Sequence, residues 1–190
     1  MISYTELKKG VIILLGNEPY EVVDTSFVRM QQRKAVVQSK LKSLRTGKVI
    51  DRSWQASEEI KEADFEKKEI LFLYSHRDEY WFQTPNDPKN RIMVKEDTVG
   101  DAAKFLKGNT LVTAYILDGS VIKVILPIKM EFEVTEAPPA TKGNTAQGGD
   151  KVVTVETGAK IVAPLFIEQG DMIRVNTETG SYVERVSKNK

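Results

Sequence analysis

Eight of the 26 residues from Phe27 to Arg52 are lysine or arginine: Arg29, Arg33, Lys34, Lys40, Lys42, Arg45, Lys48 and Arg52. Within that stretch only Asp51 opposes them, so the local charge is +7 in a chain of 190 residues whose formal total is +1. So dense a concentration of cations on an otherwise balanced chain points to a polyanion, and phosphate backbone is the commonest one. A solvated strand face is the competing explanation. Alternation in Val37–Ser43 puts Gln38, Lys40 and Lys42 on one face of a strand, with Val37 and Leu41 turned toward a core. A strand arriving through Glu21–Val28 and one leaving through Ala35–Leu44 would leave Arg29, Met30, Gln31, Gln32, Arg33 and Lys34 at a projecting tip. A tip of this length without Gly or Pro does not make a two-residue turn. It reads as an exposed, mobile loop suited to a groove of folded RNA, with Lys40 and Lys42 gripping phosphates below it. A solvated hairpin tip is the alternative.

Nothing else in the chain offers comparable chemistry. His76 is the only histidine, between Ser75 and Arg77, and reads as a surface turn residue. Trp54 and Trp81 fall in strand patterns and read as packing residues rather than base-stacking platforms. Glu58 and Glu59 lie in a charged stretch with nothing to perturb them, and no phosphate-binding glycine loop or metal-ligand spacing occurs. Zero cysteines remove disulfides, thiolate nucleophiles and cysteine-ligated zinc. Neither metal nor cofactor is expected, and no residue constellation favours an enzyme.

The elements that would position the basic stretch are mostly strands. Short apolar or alternating runs recur from Val11–Leu15 to Tyr182–Val186, punctuated by Gly16-Asn17, Thr46-Gly47, Asp118-Gly119, Gly148-Gly149 and Thr179-Gly180. This spacing predicts an all-β chain of small barrels or sandwiches. One helix is expected over Thr98–Leu106, closed by Lys107-Gly108. Ser57–Lys68 is charged and lacks a strand pattern, which suggests a boundary, and Pro127 interrupts an otherwise long strand. Ala137–Asp150, rich in Pro, Gly and polar residues, reads as a long loop. Three modules are expected, over 1–64, 65–128 and 129–190, with net charges of +2, 0 and −1. No run of eighteen apolar residues occurs, and the first ten residues lack the basic-then-apolar order of a signal peptide, so a cytoplasmic location is expected.

Several segments, in order, resemble the bacterial elongation factor P family, related to the hypusine-containing initiation factors of archaea and eukaryotes. They are Lys40–Gly47 (KLKSLRTG), Gly100–Gly108 (GDAAKFLKG), the E-V-T-E-A-P…K-G-N-T order within Pro127–Thr145, Gly158–Gly170 (GAKIVAPLFIEQG) and Asp171–Tyr182 (DMIRVNTETGSY). The resemblance implies an N-terminal SH3-like β-barrel followed by two OB-fold β-barrels, in an L-shaped outline similar to tRNA. It implies a monomeric, non-enzymatic factor that binds both ribosomal subunits beside P-site peptidyl-tRNA. Such a factor points residues 29–34 at the peptidyl-transferase centre and relieves stalling at consecutive prolines by positioning the CCA end. Lys40, Lys42 and Arg45 would contact tRNA or rRNA phosphates. Gly143, Asn144 and Thr145 would approach the exit-site codon, with Asn where the family commonly has Asp. Ala163 replaces a usual Val, a change expected to matter only to packing.

The tip departs from the family pattern. Gln32 stands where many members carry a modified Lys or Arg, and Met30, Gln31 and Arg33 replace the usual Pro and Gly residues. Gln offers neither an amine nor a guanidinium, so an unmodified tip is expected, with Gln32 and Arg33 reaching the CCA end. A one-residue shift of the loop would offer Arg33 or Lys34 instead. The alternatives are a close factor P-like paralogue or a general RNA-binding OB protein that does not relieve proline stalling.

Overall fold

The computed structural model describes residues 1–28, 36–139 and 149–188. Fifteen strands among them form three antiparallel five-stranded sheets that follow one another along the chain. The first holds β1 (Ile12–Leu15), β2 (Glu18–Val28), β3 (Val36–Ser43), β4 (Val49–Gln55) and β5 (Lys61–Glu62), in the order β4-β3-β2-β1-β5. The second holds β6 (Glu66–His76), β7 (Glu79–Thr84), β8 (Asp87–Lys95), β9 (Leu111–Leu117) and β10 (Ser120–Ile125), ordered β10-β9-β6-β7-β8. The third holds β11 (Lys129–Glu136), β12 (Asp150–Val155), β13 (Lys160–Pro164), β14 (Met172–Asn176) and β15 (Ser181–Ser187), ordered β13-β12-β11-β14-β15. The tip residues 29–34 and the loop residues Gly143, Asn144 and Thr145 lie outside the described residues.

Cα proximity divides the chain into two compact units. One comprises Met1–Lys68, Val94–Val99 and Ala114–Val124; the other comprises Glu69–Met93, Gly100–Thr113 and Ile125–Lys190. In the first unit, Leu7, Ile13, Val22, Val37, Leu41, Trp54 and Ile60 form one core. The adjacent Ile12 points the other way, into a second cluster with Ala63, Leu117 and Ile122, against which Phe65 and Tyr115 pack. Their rings stack at 4.4 Å. Because neighbouring strand residues face opposite sides, Ile12-Ile13 can serve both clusters at once.

In the second unit, β11 alternates cleanly: Met130, Phe132 and Val134 are buried, while Lys129, Glu131 and Glu133 are exposed. Phe105 packs on Phe132 with ring centroids 5.8 Å apart. Lys107 Nζ donates to the Glu131 carbonyl at 2.8 Å and to Glu156 Oε1 at 2.9 Å, and it lies 5.3 Å from the Phe132 ring centroid. Thr157 Oγ1 donates to the Lys104 carbonyl at 2.8 Å, tying the same segment to the turn after β12.

Two sequence expectations are corrected. The helix expected over Thr98–Leu106 is a single α-turn, Glu96–Val99, followed by a 3₁₀ segment, Gly100–Phe105. Gly100 has φ +58, a left-handed conformation that no α-helix interior accommodates, so the α-turn ends before it. The left-handed residue after the 3₁₀ segment is Asn109 (φ +65), not Gly108. Ser57–Lys68 is not free of strand either. Lys61–Glu62 pairs with β1, Ile2 bridges Ile60, and Ile60 and Ala63 are buried. Two apolar anchors suffice to draw this charged stretch onto the sheet. By contrast, Asp118 and Gly119 (φ +50 and +75) form the tight β9–β10 turn that the dipeptide predicts.

Trp54 fills the first core with a polar atom to satisfy. Its Nε1–H donates to Ser39 Oγ at 2.7 Å, and Ser39 Oγ donates to the Arg52 carbonyl at 3.3 Å. Both side chains are buried. Ser39→Ala would leave the indole N–H without its acceptor, at a cost of about 1–3 kcal/mol. The urea midpoint of Ser39→Ala is therefore expected to fall with the slope unchanged. A midpoint equal to wild type would show the bond to be dispensable.

Candidate RNA-binding face

β3 lies between β2 and β4, and its alternation builds the face. Val37, Ser39, Leu41 and Ser43 are buried, Gln38 and Lys40 are exposed, and Lys42 is half-buried. The register places Lys40 between Asp24 of β2 and Asp51 of β4, and Lys42 between Glu21 and Val49. A bulge between Val22 and Asp24 makes this possible. Val22 must face inward opposite Leu41, while Asp24 must face outward opposite Lys40. Two residues of the same strand parity can take opposite faces only if one extra residue, here Val23, is inserted between them. Arg45 sits in the turn after β3.

The cations are less isolated than the sequence count suggests. Arg45 pairs with Glu18 at 3.6 Å, and Arg52 pairs with Glu58 at 3.2 Å while lying over the Trp54 ring at 4.3 Å. Glu18, Glu21 and Asp24 come from outside the basic stretch and Glu58 from beyond its end, so Asp51 is not its only counter-charge. Lys40, Lys42 and Lys48 have no carboxylate within ion-pair distance among the described residues. β3 thus brings Lys40 and Lys42 together as unpaired cations, and Arg45 stands apart, already paired. A depression on the face measures about 70 Å³, and its lining includes Asp24, Gln38, Lys40 and Asp51. That is too small for a metabolite, whereas a shallow face with free ammonium groups suits a phosphate backbone.

The remaining sequence candidates take their expected places. Trp54 is core, and Trp81 is half-buried and stacks on Tyr74 with centroids 6.4 Å apart. His76 is exposed at the end of β6. No group of three or more metal-ligating side chains occurs among the described residues, and no helix among them is long and apolar enough to cross a membrane.

Comparison with known proteins gives this face its context. Residues 3–60 match the elongation factor P KOW-like domain, 65–124 the elongation factor P OB domain and 130–185 the elongation factor P C-terminal domain. Elongation factor P of Thermodesulfovibrio yellowstonii is 37% identical over 98% of this chain and 99% of its own length. That of a Thermoanaerobacter species is 40% identical over 98% of this chain and its full length. The chain belongs to the elongation factor P family. Elongation factor P proteins are non-enzymatic translation factors that interact with the ribosome and RNA, and the β2–β3 hairpin lies inside the matched KOW-like domain. A solved initiation factor 5A from Methanococcus jannaschii is also similar, at a TM-score of 0.49 and 11% identity over 66% of this chain and 90% of its own.

Glu58, which the sequence reading set aside, is engaged at two points. Its Oε1 accepts the Gln55 N–H at 3.0 Å, and its Oε2 accepts from Arg52. The Gln55 N–H holds its carboxyl below the usual range, with partial burial opposing and Arg52 reinforcing the shift. A carboxylate depressed in the folded state adds stability above its unfolded pKa, and that stability is lost as pH falls through the folded pKa. Glu58→Gln is therefore expected to melt below wild type at neutral pH, the gap closing as pH falls into the acid range. A gap independent of pH would contradict the assignment.

Proposed function

We propose that this chain binds the ribosome beside P-site peptidyl-tRNA and promotes peptide-bond formation where consecutive prolines stall synthesis. In this reading it acts as a cytoplasmic monomer, built from an SH3-like barrel (1–64) and two OB-type barrels (65–128 and 129–190). Residues 29–34 reach toward the peptidyl-transferase centre, Lys40, Lys42 and Arg45 contact tRNA or rRNA phosphates, and Gly143, Asn144 and Thr145 approach the exit-site codon. The observation that carries the reading is the β2–β3 hairpin, which holds Lys40 and Lys42 outward without ion partners and leads directly into the tip segment. The family match along all three sheets supports it.

The mechanism requires no acid, base or nucleophile. Proline is a weak nucleophile on a rigid ring, so the reacting ends meet badly. A factor that holds the CCA end near its attack geometry removes part of the entropic barrier. Arg45 must exchange Glu18 for phosphate, an exposed pair worth about 1 kcal/mol or less, so the exchange is cheap.

The tip works unmodified in this reading, with Gln32 and Arg33 nearest the CCA end. In a host deleted for the protein, a Pro-Pro-Pro reporter should recover with the wild-type chain. Arg29→Ala, Arg33→Ala and Lys34→Ala combined should lose most of that recovery while the protein stays folded. Full rescue by the triple variant would refute the tip assignment. The protein's intact mass from its native host should equal the sequence mass. Added mass on Arg33 or Lys34 would refute the unmodified tip.

A further inference from the structure

Glu21 is placed to spoil the basic face, yet its charge is spent elsewhere. Its cross-strand partner in β3 is Lys42, and directly opposed side chains have Cβ atoms about 5 Å apart, well within reach of an ion pair. The carboxylate instead meets Lys123 Nζ of β10 at 2.5 Å, across 102 residues of sequence. Lys123 is held there by its surroundings. Its strand neighbours Ile122 and Val124 are buried, and Ile122 packs with Ile12, Ala63 and Leu117. With side chains 21% and 25% exposed, Glu21 and Lys123 are the most enclosed ion pair among the described residues of this unit. Lys123 therefore offers little of itself to a large anion, while Lys42 keeps no carboxylate within ion-pair distance among the described residues.

We infer that Lys123 is a positioning residue for RNA binding: by engaging the Glu21 carboxylate it leaves the Lys42 ammonium free for phosphate. The inference rests on the reading that Lys42 contacts phosphate. Without Lys123 the carboxylate turns to the cation opposite it, and that new pair must break before Lys42 can bind RNA. Net charge alone does not account for this effect, because Lys123 acts through Glu21 and has no influence once Lys42 is gone.

The test is binding of the full chain to vacant 70S ribosomes, titrated between about 50 and 200 mM salt. Lys42→Met should weaken binding about threefold to tenfold and reduce the salt slope by about 0.9, the signature of one lost phosphate contact. Lys123→Met should weaken binding to a similar extent, and Lys123→Arg should keep wild-type affinity. Adding Glu21→Gln to Lys123→Met should restore affinity, and adding Lys123→Met to Lys42→Met should change nothing. Glu21→Gln alone, which keeps the shape of the side chain, should bind at least as tightly as wild type. Wild-type affinity of Lys123→Met beside a weakened Lys42→Met would overturn the inference while leaving the phosphate role of Lys42 intact. So would failure of Glu21→Gln to restore binding, or weaker binding of Glu21→Gln alone, the arm that decides if Lys123→Met does not fold. No effect of Lys42→Met would overturn the phosphate role itself, and the inference with it.

Discussion

The two-residue period of β3 is the constraint on which the rest of the first sheet and its face depend. Paired on both sides, β3 turns Val37, Ser39 and Leu41 into the core and Gln38, Lys40 and Lys42 away from it. A slip of one residue against either neighbour would bury the lysines and expose the core, so the hydrophobic pattern locks the register. Ser39 shows how far the arrangement is committed. Its buried hydroxyl is matched to the Trp54 indole, and that in turn fixes β4 and the Arg52 guanidinium over the Trp54 ring. Core packing and the placement of cations are therefore one problem with one solution.

That solution also governs electrostatics. A face meant for phosphate needs free ammonium groups, but a stable sheet surface favours opposite charges across its strands. The described residues reconcile the two demands by pairing selectively. Arg45 and Arg52 have carboxylate partners, Glu21 is engaged by Lys123, and Lys40 and Lys42 remain open although Asp24, Asp51 and Glu21 stand opposite them. The result is a moderated positive face.

Much of this was legible in the sequence because it depends on local period. The alternation that separates Val37 and Leu41 from Lys40 and Lys42, the Asp118-Gly119 turn and the break at Pro127 all express rules acting over a few residues. What escaped depends on longer-range facts. Counting back from the tip pairs Lys42 with Val22; the bulge at Val23 moves Glu21 into that place. Lys123 lies far along the chain, and nothing near it marks Glu21 as its partner. The expected helix failed at Gly100, where a positive φ outweighed the apolar spacing, and the charged stretch after Ser57 was drawn into the sheet by Ile60 and Ala63. The family resemblance, spread over five short segments, conveyed what periodicity could not: membership of the elongation factor P family.

On the proposed function, a scaffold without catalytic groups, carrying an unmodified tip, suffices to speed a slow peptide bond. The most direct test is the rate of Pro-Pro bond formation in a reconstituted translation system, with and without recombinant unmodified protein. Added protein is expected to shorten the pause on a Pro-Pro-Pro message and to leave messages without consecutive prolines unchanged. An unchanged pause, with the protein bound to the ribosome, would contradict the proposed function.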